Sequence, residues 1–305
     1  MPTRYAFFEG AIVPIEQARV SIMTHTFNYG TGCFEGLRGY WNDEEQQLFV
    51  FRMPEHFQRL HRSCRIIHSR LAYTVEELCS ITIDLLRHEG FREDCYIRPI
   101  VYKADLGIGV RLHNLRDAFA MFCTPFGRYV EQEENCRACI SSWRRLEDNA
   151  IPPRGKIIGA YVNSALCKTD AALAGFDEAI VLTEDGHVSE GSAENLFLVR
   201  DGRLITPGVN ENILEGITRN TLMELARNEL GIDTEVRSVD RTELYVADEV
   251  FFCGTGMQLV AVTQIDHRPI GSGQMGPITQ KLRDLYYGAV RGRVPQYRKW
   301  CTPVY

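Results

Sequence analysis

Between Ser189 and Arg219 the chain sets a strand and a helix in a fixed order, with a carboxylate at the mouth of the one and a glycine at the head of the other. Ser189-Glu190-Gly191-Ser192-Ala193-Glu194 is a short polar stretch that runs into the apolar Leu196-Phe197-Leu198-Val199, a run of strand length. Leu204-Ile205-Thr206 comes next, and Leu214-Glu215-Gly216-Ile217-Thr218-Arg219 then reads as the opening of a helix. A chain built this way needs a sheet with helices laid against it, so an all-helical or all-β fold is excluded.

The rest of the chain agrees with a mixed α/β class. A hairpin is predicted from Tyr5–Phe8 and Ala11–Val13 around Glu9-Gly10, followed by strands over Phe34–Trp41 and Leu48–Phe51. A helix is expected from Pro54, with Phe57, Leu60, Cys64 and Ile67 on one face. The capping box Thr74-Val75-Glu76-Glu77 opens another, which should stop at Gly90. Strands near Cys95–Tyr102 and Ala118–Thr124 complete a first, smaller unit over 1–124, and the polar stretch 125–135 is the expected linker. The larger unit, 136–305, should hold strands near Arg137–Trp143, Glu178–Leu182, Leu196–Val199, Glu249–Phe252 and Leu259–Gln264, with helices near Tyr161–Ala174, Ile217–Leu230 and Pro277–Val290.

Composition narrows the partners. A net charge of −6 argues against nucleic acid or an anionic membrane surface. The first residues lack the apolar core of a secretory leader, and no apolar run is long enough to span a bilayer, so a cytoplasmic protein is expected. The ten cysteines are scattered, as in a reduced intracellular chain. Cys136-Arg137-Ala138-Cys139 has no second pair at zinc-site spacing and runs into strand, so no metal is expected. Neither a Gly-x-Gly-x-x-Gly in a βαβ unit nor a Walker A sequence occurs, which removes dinucleotides and nucleoside triphosphates as cofactors.

Two of the remaining features suit one ligand. A carboxylate such as Glu194 keeps a basic ring nitrogen protonated, and the free N–H groups of a helix starting at Gly216-Ile217-Thr218 suit a phosphate. The spacing over 189–197 and 214–219 is similar to the signature of the class IV (fold type IV) pyridoxal-phosphate aminotransferases. Matches along nearly the whole chain point to their branched-chain amino acid aminotransferase branch. The resemblance implies a two-domain fold with pyridoxal 5′-phosphate at the domain interface. It further implies transamination of leucine, isoleucine and valine with 2-oxoglutarate, and a homodimer whose active sites are completed across the interface. Larger rings are left open.

A pyridoxal-phosphate enzyme needs one lysine to hold the aldehyde and to move a proton. Of five lysines, Lys168 and Lys281 read as solvated helix faces and Lys299 lies in the tail. Lys103 ends a strand, and pattern alone leaves it open. Lys156 follows Pro152-Pro153-Arg154-Gly155 and precedes Ile157-Ile158-Gly159, an apolar setting that favours a neutral amine. Lys156 is therefore the expected catalytic residue.

The resemblance places Tyr161 on the cofactor's ring oxygen, five residues after Lys156, with Glu194 at the ring nitrogen. It assigns Arg59, Ile217, Thr218 and Thr255 to the phosphate. It also implies pocket residues Phe34, Gly36, Tyr96, Arg98, Phe126, Tyr129, Thr255 and Gly256, and residues Tyr29, Arg38, Ile108 and Val110 contributed by the partner subunit. Tyr96 and Arg98 share one face of a strand, so both can reach one cavity. Two departures bear on the width of specificity: Gly254-Thr255-Gly256-Met257-Gln258 stands where the branch has Gly-Thr-Ala-Ala-Glu, and Phe126 where it often has Trp. Relatives acting on D-amino acids or (R)-amines lack Glu35-Gly36-Leu37-Arg38-Gly39-Tyr40 in this form, which leaves those activities secondary. Tyr96-Ile97-Arg98-Pro99 argues against aminodeoxychorismate lyase. A non-catalytic binding protein would be expected to lose Lys156.

Overall fold

The computed structural model describes residues 4–127 and 133–305; Tyr129 and much of the expected linker lie outside them. The chain forms two compact units. The first gathers the residues up to Gly127 with Gly155–Gly159 and Gly288–Tyr305, and the second holds the remainder. The division thus differs from a single cut between 1–124 and 136–305.

In the first unit, β1 (Tyr5–Phe8) and β2 (Ala11–Pro14) form the opening hairpin, and the one-turn α1 (His25–Tyr29) leads into β3 (Gly32–Phe34), β4 (Leu37–Asn42) and β5 (Gln47–Phe51). Helices α2 (Met53–Ile66) and α3 (Val75–Glu89) precede the long strands β6 (Cys95–Lys103) and β7 (Asp117–Pro125). The sheet runs in the order 301–303, β5, β4, β6, β7, β1, β2, with β3 added on β6, and its pairs are antiparallel. Alternation along β6 and β7 sends Cys95, Ile97, Val101, Phe119, Met121 and Cys123 inward, while Tyr96 and Arg98 lie on the half-buried face. Helix α3 packs against β1, β7 and α2. Its capping box is complete, with Glu77 N donating to Thr74 Oγ1 at 3.2 Å and Thr74 N donating to Glu77 Oε2 at 2.7 Å. Gly90 ends it in the left-handed conformation at φ 67°, as expected of a glycine C-cap.

The expected single strand over Phe34–Trp41 is broken at Glu35-Gly36, between β3 and β4. Glu35 N bonds Pro99 O at 3.0 Å, and its side chain turns inward to Arg59 on α2. The short segment Gly155–Gly159 joins this unit by backbone: Phe34 N donates to Lys156 O at 3.0 Å, Gly159 N to Gly30 O at 3.1 Å, and Cys33 bridges Ile157.

The second unit contains β8 (Cys136–Arg144), α4 (Tyr161–Leu173), β9 (Glu178–Leu182), β10 (Val188–Gly191), β11 (Asn195–Arg200), β12 (Arg203–Thr206), α5 (Ile217–Leu230), β13 (Thr234–Val236), β14 (Glu249–Gly254), β15 (Gln258–Ile265), β16 (Arg268–Pro269) and most of α6 (Pro277–Val290). Its sheet is mixed, in the order β10, β9, β8, β15, β14, β11, β12, β13, with β16 on β15. Strands β8 and β9, β8 and β15, and β12 and β13 are parallel. One apolar layer joins Ile180, Leu196, Leu198, Val250, Phe252, Val260 and Val262. Helix α4 packs on β8 and β9, with Cys167, Ala171, Ala179 and Val181 forming a smaller core there. Strand β11 is buried on both faces up to Val199, and Phe197 stacks on Phe251 at 5.0 Å. No helix among the described residues is long and apolar enough to cross a membrane.

Candidate active site

The predicted site residues are divided between the two units. The second unit holds Tyr161, Glu194, Ile217, Thr218, Thr255 and Gly256; the first holds Lys156 and Arg59 with the pocket residues Phe34, Gly36, Tyr96, Arg98 and Phe126.

In the second unit the polar stretch ahead of β11 packs tightly around Glu194. Its carboxyl is buried and accepts from Ala193 N at 3.0 Å. Burial, then the charge of Glu178, raises its pKa to about 8, although the Ala193 N–H and Lys168 act in the opposite sense. Two glycines make room for it. A Cβ on Gly191 would stand 2.9 Å from Glu194 Oε2, and one on Gly254 would touch the Glu194 side chain at 3.9 Å. Asn195 pairs with Cys253 on β14, so the Gly254-Thr255-Gly256 turn lies beside the start of β11. The opposite flank is the lead-in to α5. Asn195 Nδ2 donates to Leu214 O at 2.9 Å and to Glu190 Oε2 at 2.8 Å, and Glu190 Oε2 also accepts from Leu214 N at 3.1 Å. Arg145 Nη2 pairs with Glu190 Oε1 at 2.6 Å.

Helix α5 starts at Ile217 after Gly216, and no side chain caps it. Its first N–H groups, with the buried Thr218 hydroxyl beside them, therefore face outward from a helix positive end without a protein acceptor at the cap position. Gly216 has no space for a side chain, since a Cβ would fall 1.9 Å from Asn195 Oδ1. A Cβ on Gly256, in contrast, would meet no heavy atom within 4 Å. Tyr161 is the half-buried first residue of α4.

In the first unit Lys156 has its backbone fixed on both sides: its N–H donates to Ser63 Oγ at 3.1 Å and its carbonyl accepts from Phe34 N. Its Nζ lies 5.1 Å from the centre of the Phe34 ring. Lys103, which pattern left open, is buried with Nζ 2.9 Å from Asp117 Oδ1 and 2.7 Å from His68 O. That setting places it in a structural pair. Lys168 does not occupy a purely solvated face as expected: Nζ meets the buried Glu178 Oε2 at 2.5 Å and Asp177 O at 2.6 Å. Cys136 and Cys139 lie three apart on the extended β8 and so point to opposite faces, and burial pushes the Cys139 thiol up to about 11.

The pocket residues Phe34, Gly36, Tyr96, Arg98 and Phe126 come together. Arg98 Nη2 donates to Tyr96 Oη at 2.9 Å, and its guanidinium lies 4.3 Å from the Phe34 ring centre. Its buried Nε has no partner among the described residues. Tyr96 and Phe126 pack at 5.2 Å. Gly36 is required by this packing, because a Cβ there would overlap Tyr96 Oη at 2.1 Å.

Of the four residues expected to reach a partner, Tyr29 is half-buried at the end of α1. Ile108 and Val110 are 98% and 82% exposed. Their loop is pinned at Gly109, whose N–H donates to Tyr29 Oη at 3.1 Å and whose carbonyl lies 2.6 Å from His25 Nε2. Arg38, however, is buried within its own unit and donates to Phe126 O at 3.1 Å and Gly127 O at 2.5 Å. A buried guanidinium needs acceptors, and these carbonyls turn it inward, so in this placement it shapes the 126–127 backbone.

Arg59, expected at the phosphate, forms a side-on fork with Glu35, Nε to Oε1 at 2.6 Å and Nη2 to Oε2 at 2.9 Å. Motif spacing alone assigns no role to Glu35, His56, Ser63, Glu190 or Asn195. Glu35, Glu190 and Asn195 stood inside the signature stretches, which was the available signal.

Comparison with known proteins identifies the family. A family model described as amino-transferase class IV matches residues 32–265. A probable branched-chain-amino-acid aminotransferase of Aquifex aeolicus is 50% identical over 301 residues, covering 99% of this chain and 97% of the relative. The crystal structure of a branched-chain aminotransferase from Thermoproteus uzoniensis with norvaline is similar at a TM-score of 0.95 and 42% identity, covering 99% of this chain and 100% of that one. That of a branched-chain amino acid aminotransferase from Thermobaculum terrenum in its PLP-bound holo form is similar at a TM-score of 0.95 and 39% identity, covering 99% of each chain.

Proposed function

This chain belongs to the class IV aminotransferases, and from that premise we propose that it transfers amino groups between L-leucine, L-isoleucine or L-valine and 2-oxoglutarate, with pyridoxal 5′-phosphate as cofactor. The products are the branched 2-oxo acids and L-glutamate. The observation that carries the cofactor assignment is the second unit's combination of a buried carboxylate, Glu194, with the uncapped start of α5 on the opposite flank of Asn195.

The residues present fit that group. Ile217 and Thr218 at the head of α5, with Thr255 and Arg59, would hold the phosphate through N–H, hydroxyl and guanidinium donors. Glu194 would hold the proton on the ring nitrogen; a cation there offsets the burial that keeps its carboxyl from ionising. Tyr161 would donate its hydroxyl to the ring oxygen. When bound, pyridoxal phosphate supplies an electron-withdrawing ring for the electron pair left at the substrate α-carbon. Lys156 Nζ would hold the cofactor, and its amine, once freed, would take up and pass on the proton from the substrate α-carbon.

The substrate pocket must take an apolar side chain in one half-reaction and a γ-carboxylate in the other. Phe34, Tyr96 and Phe126 supply apolar wall, and Arg98 supplies one guanidinium whose Nε is still unpartnered among the described residues. We assign Arg98 to the γ-carboxylate and Gly36, Thr255 and Gly256 to the substrate's backbone side. The partner for the exposed apolar residues Ile22, Met23, Phe27, Leu106, Ile108 and Val110 is a second copy of the chain, giving a homodimer. A cytoplasmic setting is consistent with ten free cysteines.

The absorbance spectrum of the purified protein tests the reading. The expected result is a near-visible band that L-leucine bleaches and 2-oxoglutarate restores. A colourless protein that takes up no pyridoxal phosphate would end it.

A further inference from the structure

The carboxylate that sets Arg59 lies in the break between β3 and β4. Glu35 is fully buried, and four groups converge on it: Arg59 Nε at 2.6 Å and Nη2 at 2.9 Å, His56 Nδ1 at 2.8 Å, and the Gly36 N–H at 3.3 Å. Burial alone would push its carboxyl up, but the Arg59 guanidinium and then His56 outweigh burial and hold it well below the usual carboxylate range, so it stays ionised. Arg59 and His56 are themselves buried on one face of α2, one turn apart. The side-on fork fixes both the plane of the guanidinium and its rotation, and Nη1 is the terminal nitrogen outside it.

We propose that Glu35 is a positioning residue for the cofactor's phosphate, acting through Arg59. This rests on the assignment of Arg59 to that phosphate. An arginine carries considerable side-chain freedom, and a phosphate that had to order it would bind more weakly. Glu35 removes that freedom beforehand. It also neutralises the formal charge of the buried arginine, so Arg59 serves as a directed donor rather than as a bare cation awaiting an anion. The break in the strand follows from this role: continued pairing would alternate the Glu35 side chain along a β-strand, whereas the turn at Glu35-Gly36 aims it at α2.

The test compares two ligands on the cofactor-free full-length protein, pyridoxal 5′-phosphate and pyridoxal, which lacks the phosphate. Affinities are read by quenching of tryptophan fluorescence, independently of turnover. Glu35→Gln is expected to weaken pyridoxal phosphate by about tenfold or more, the scale of a lost charge-assisted pairing, and pyridoxal by less than about threefold. Arg59→Ala should show the same selectivity, and Glu35→Gln should add little in the Arg59→Ala background. Glu35→Asp keeps the charge but withdraws the carboxylate by one methylene; it should lose phosphate selectivity by a smaller factor, and it carries the test if Glu35→Gln does not fold. Equal weakening of both ligands, full additivity with Arg59→Ala, or unchanged selectivity in Glu35→Asp would overturn the proposal. Selectivity lost in Arg59→Ala but kept in Glu35→Gln would overturn this inference and leave the Arg59 assignment standing. Selectivity kept in Arg59→Ala would remove that assignment and this inference together.

Discussion

Glu194 offers a measurement on the protein without its cofactor. Its carboxyl is pushed from an ordinary 4.5 to about 8 by burial and by Glu178, and among the described residues only the Ala193 N–H hydrogen-bonds it directly. The folded chain therefore holds this proton more tightly than the unfolded chain. The resulting stability is present in full below about pH 4.5 and is lost as the pH rises to about 8. At roughly 1.4 kcal/mol per unit the shift corresponds to about 5 kcal/mol. An unfolding entropy of about 2.1 cal/mol/K per residue over 305 residues is about 0.6 kcal/mol/K, so the penalty is worth about 8 °C in melting temperature. Glu194→Gln removes the titration while keeping the shape. Stripped of cofactor, the variant should melt close to wild type at pH 5 and gain on it steadily, until it leads by that amount at pH 9. Scanning calorimetry across the pH series measures the difference. A gap between the two proteins that stays constant from pH 5 to pH 9 would refute the argument, since it would mean that the carboxylate is as well solvated folded as unfolded.

Two further outcomes separate the lysines and the half-reactions. Lys156→Ala should lose activity by orders of magnitude with little change in melting. Lys103→Ala leaves the half-buried Asp117 without its lysine partner and should lose about 1–3 kcal/mol of stability while the folded fraction still turns over; denaturant unfolding and activity assays on both variants decide it. Arg98→Met should slow the half-reaction with glutamate by roughly tenfold or more, from loss of a charge-assisted pairing of about 1.5–3 kcal/mol, and leave that with leucine within a few-fold. Equal losses in stopped-flow traces of the two half-reactions would move Arg98 to the α-carboxylate.

Elements bounded by local chemistry were legible in advance. Helix α5 begins after Gly216 and ends at Gly231, α3 carries its capping box and glycine stop, and Glu178–Leu182 is a plain apolar run. The break at Glu35 was not legible, because Phe34–Trp41 reads as one strand and the cause of the break, Arg59, lies 24 positions away on another element. Val188–Gly191 is strand only by its pairing with β9; Val-Ser-Glu-Gly has no strand pattern of its own. Lys168 looked solvated because a charge on a helix gives no sign of whether a neighbouring element will offer it a buried carboxylate, as β9 does with Glu178. The same blindness applied to Arg38, whose acceptors are backbone carbonyls with no sequence signature. At the candidate site the chemistry-bearing side chains could be named from motif spacing, while the groups that orient them emerged only from packing.

The strand at 301–303 has a consequence for how the chain is made. It covers the edge of β5, where Cys301 pairs with Phe51, about 250 positions earlier. At ~5–20 residues per second, the ribosome takes roughly 10–50 s to supply that partner. Throughout that interval Gln47-Leu48-Phe49-Val50-Phe51 presents an open, strongly apolar strand edge, the kind on which other nascent chains add. The second unit has its described strands by residue 269 and can close before then. Shielding that five-residue edge during synthesis is thus a demand that falls on chaperones and on translation speed rather than on the finished fold.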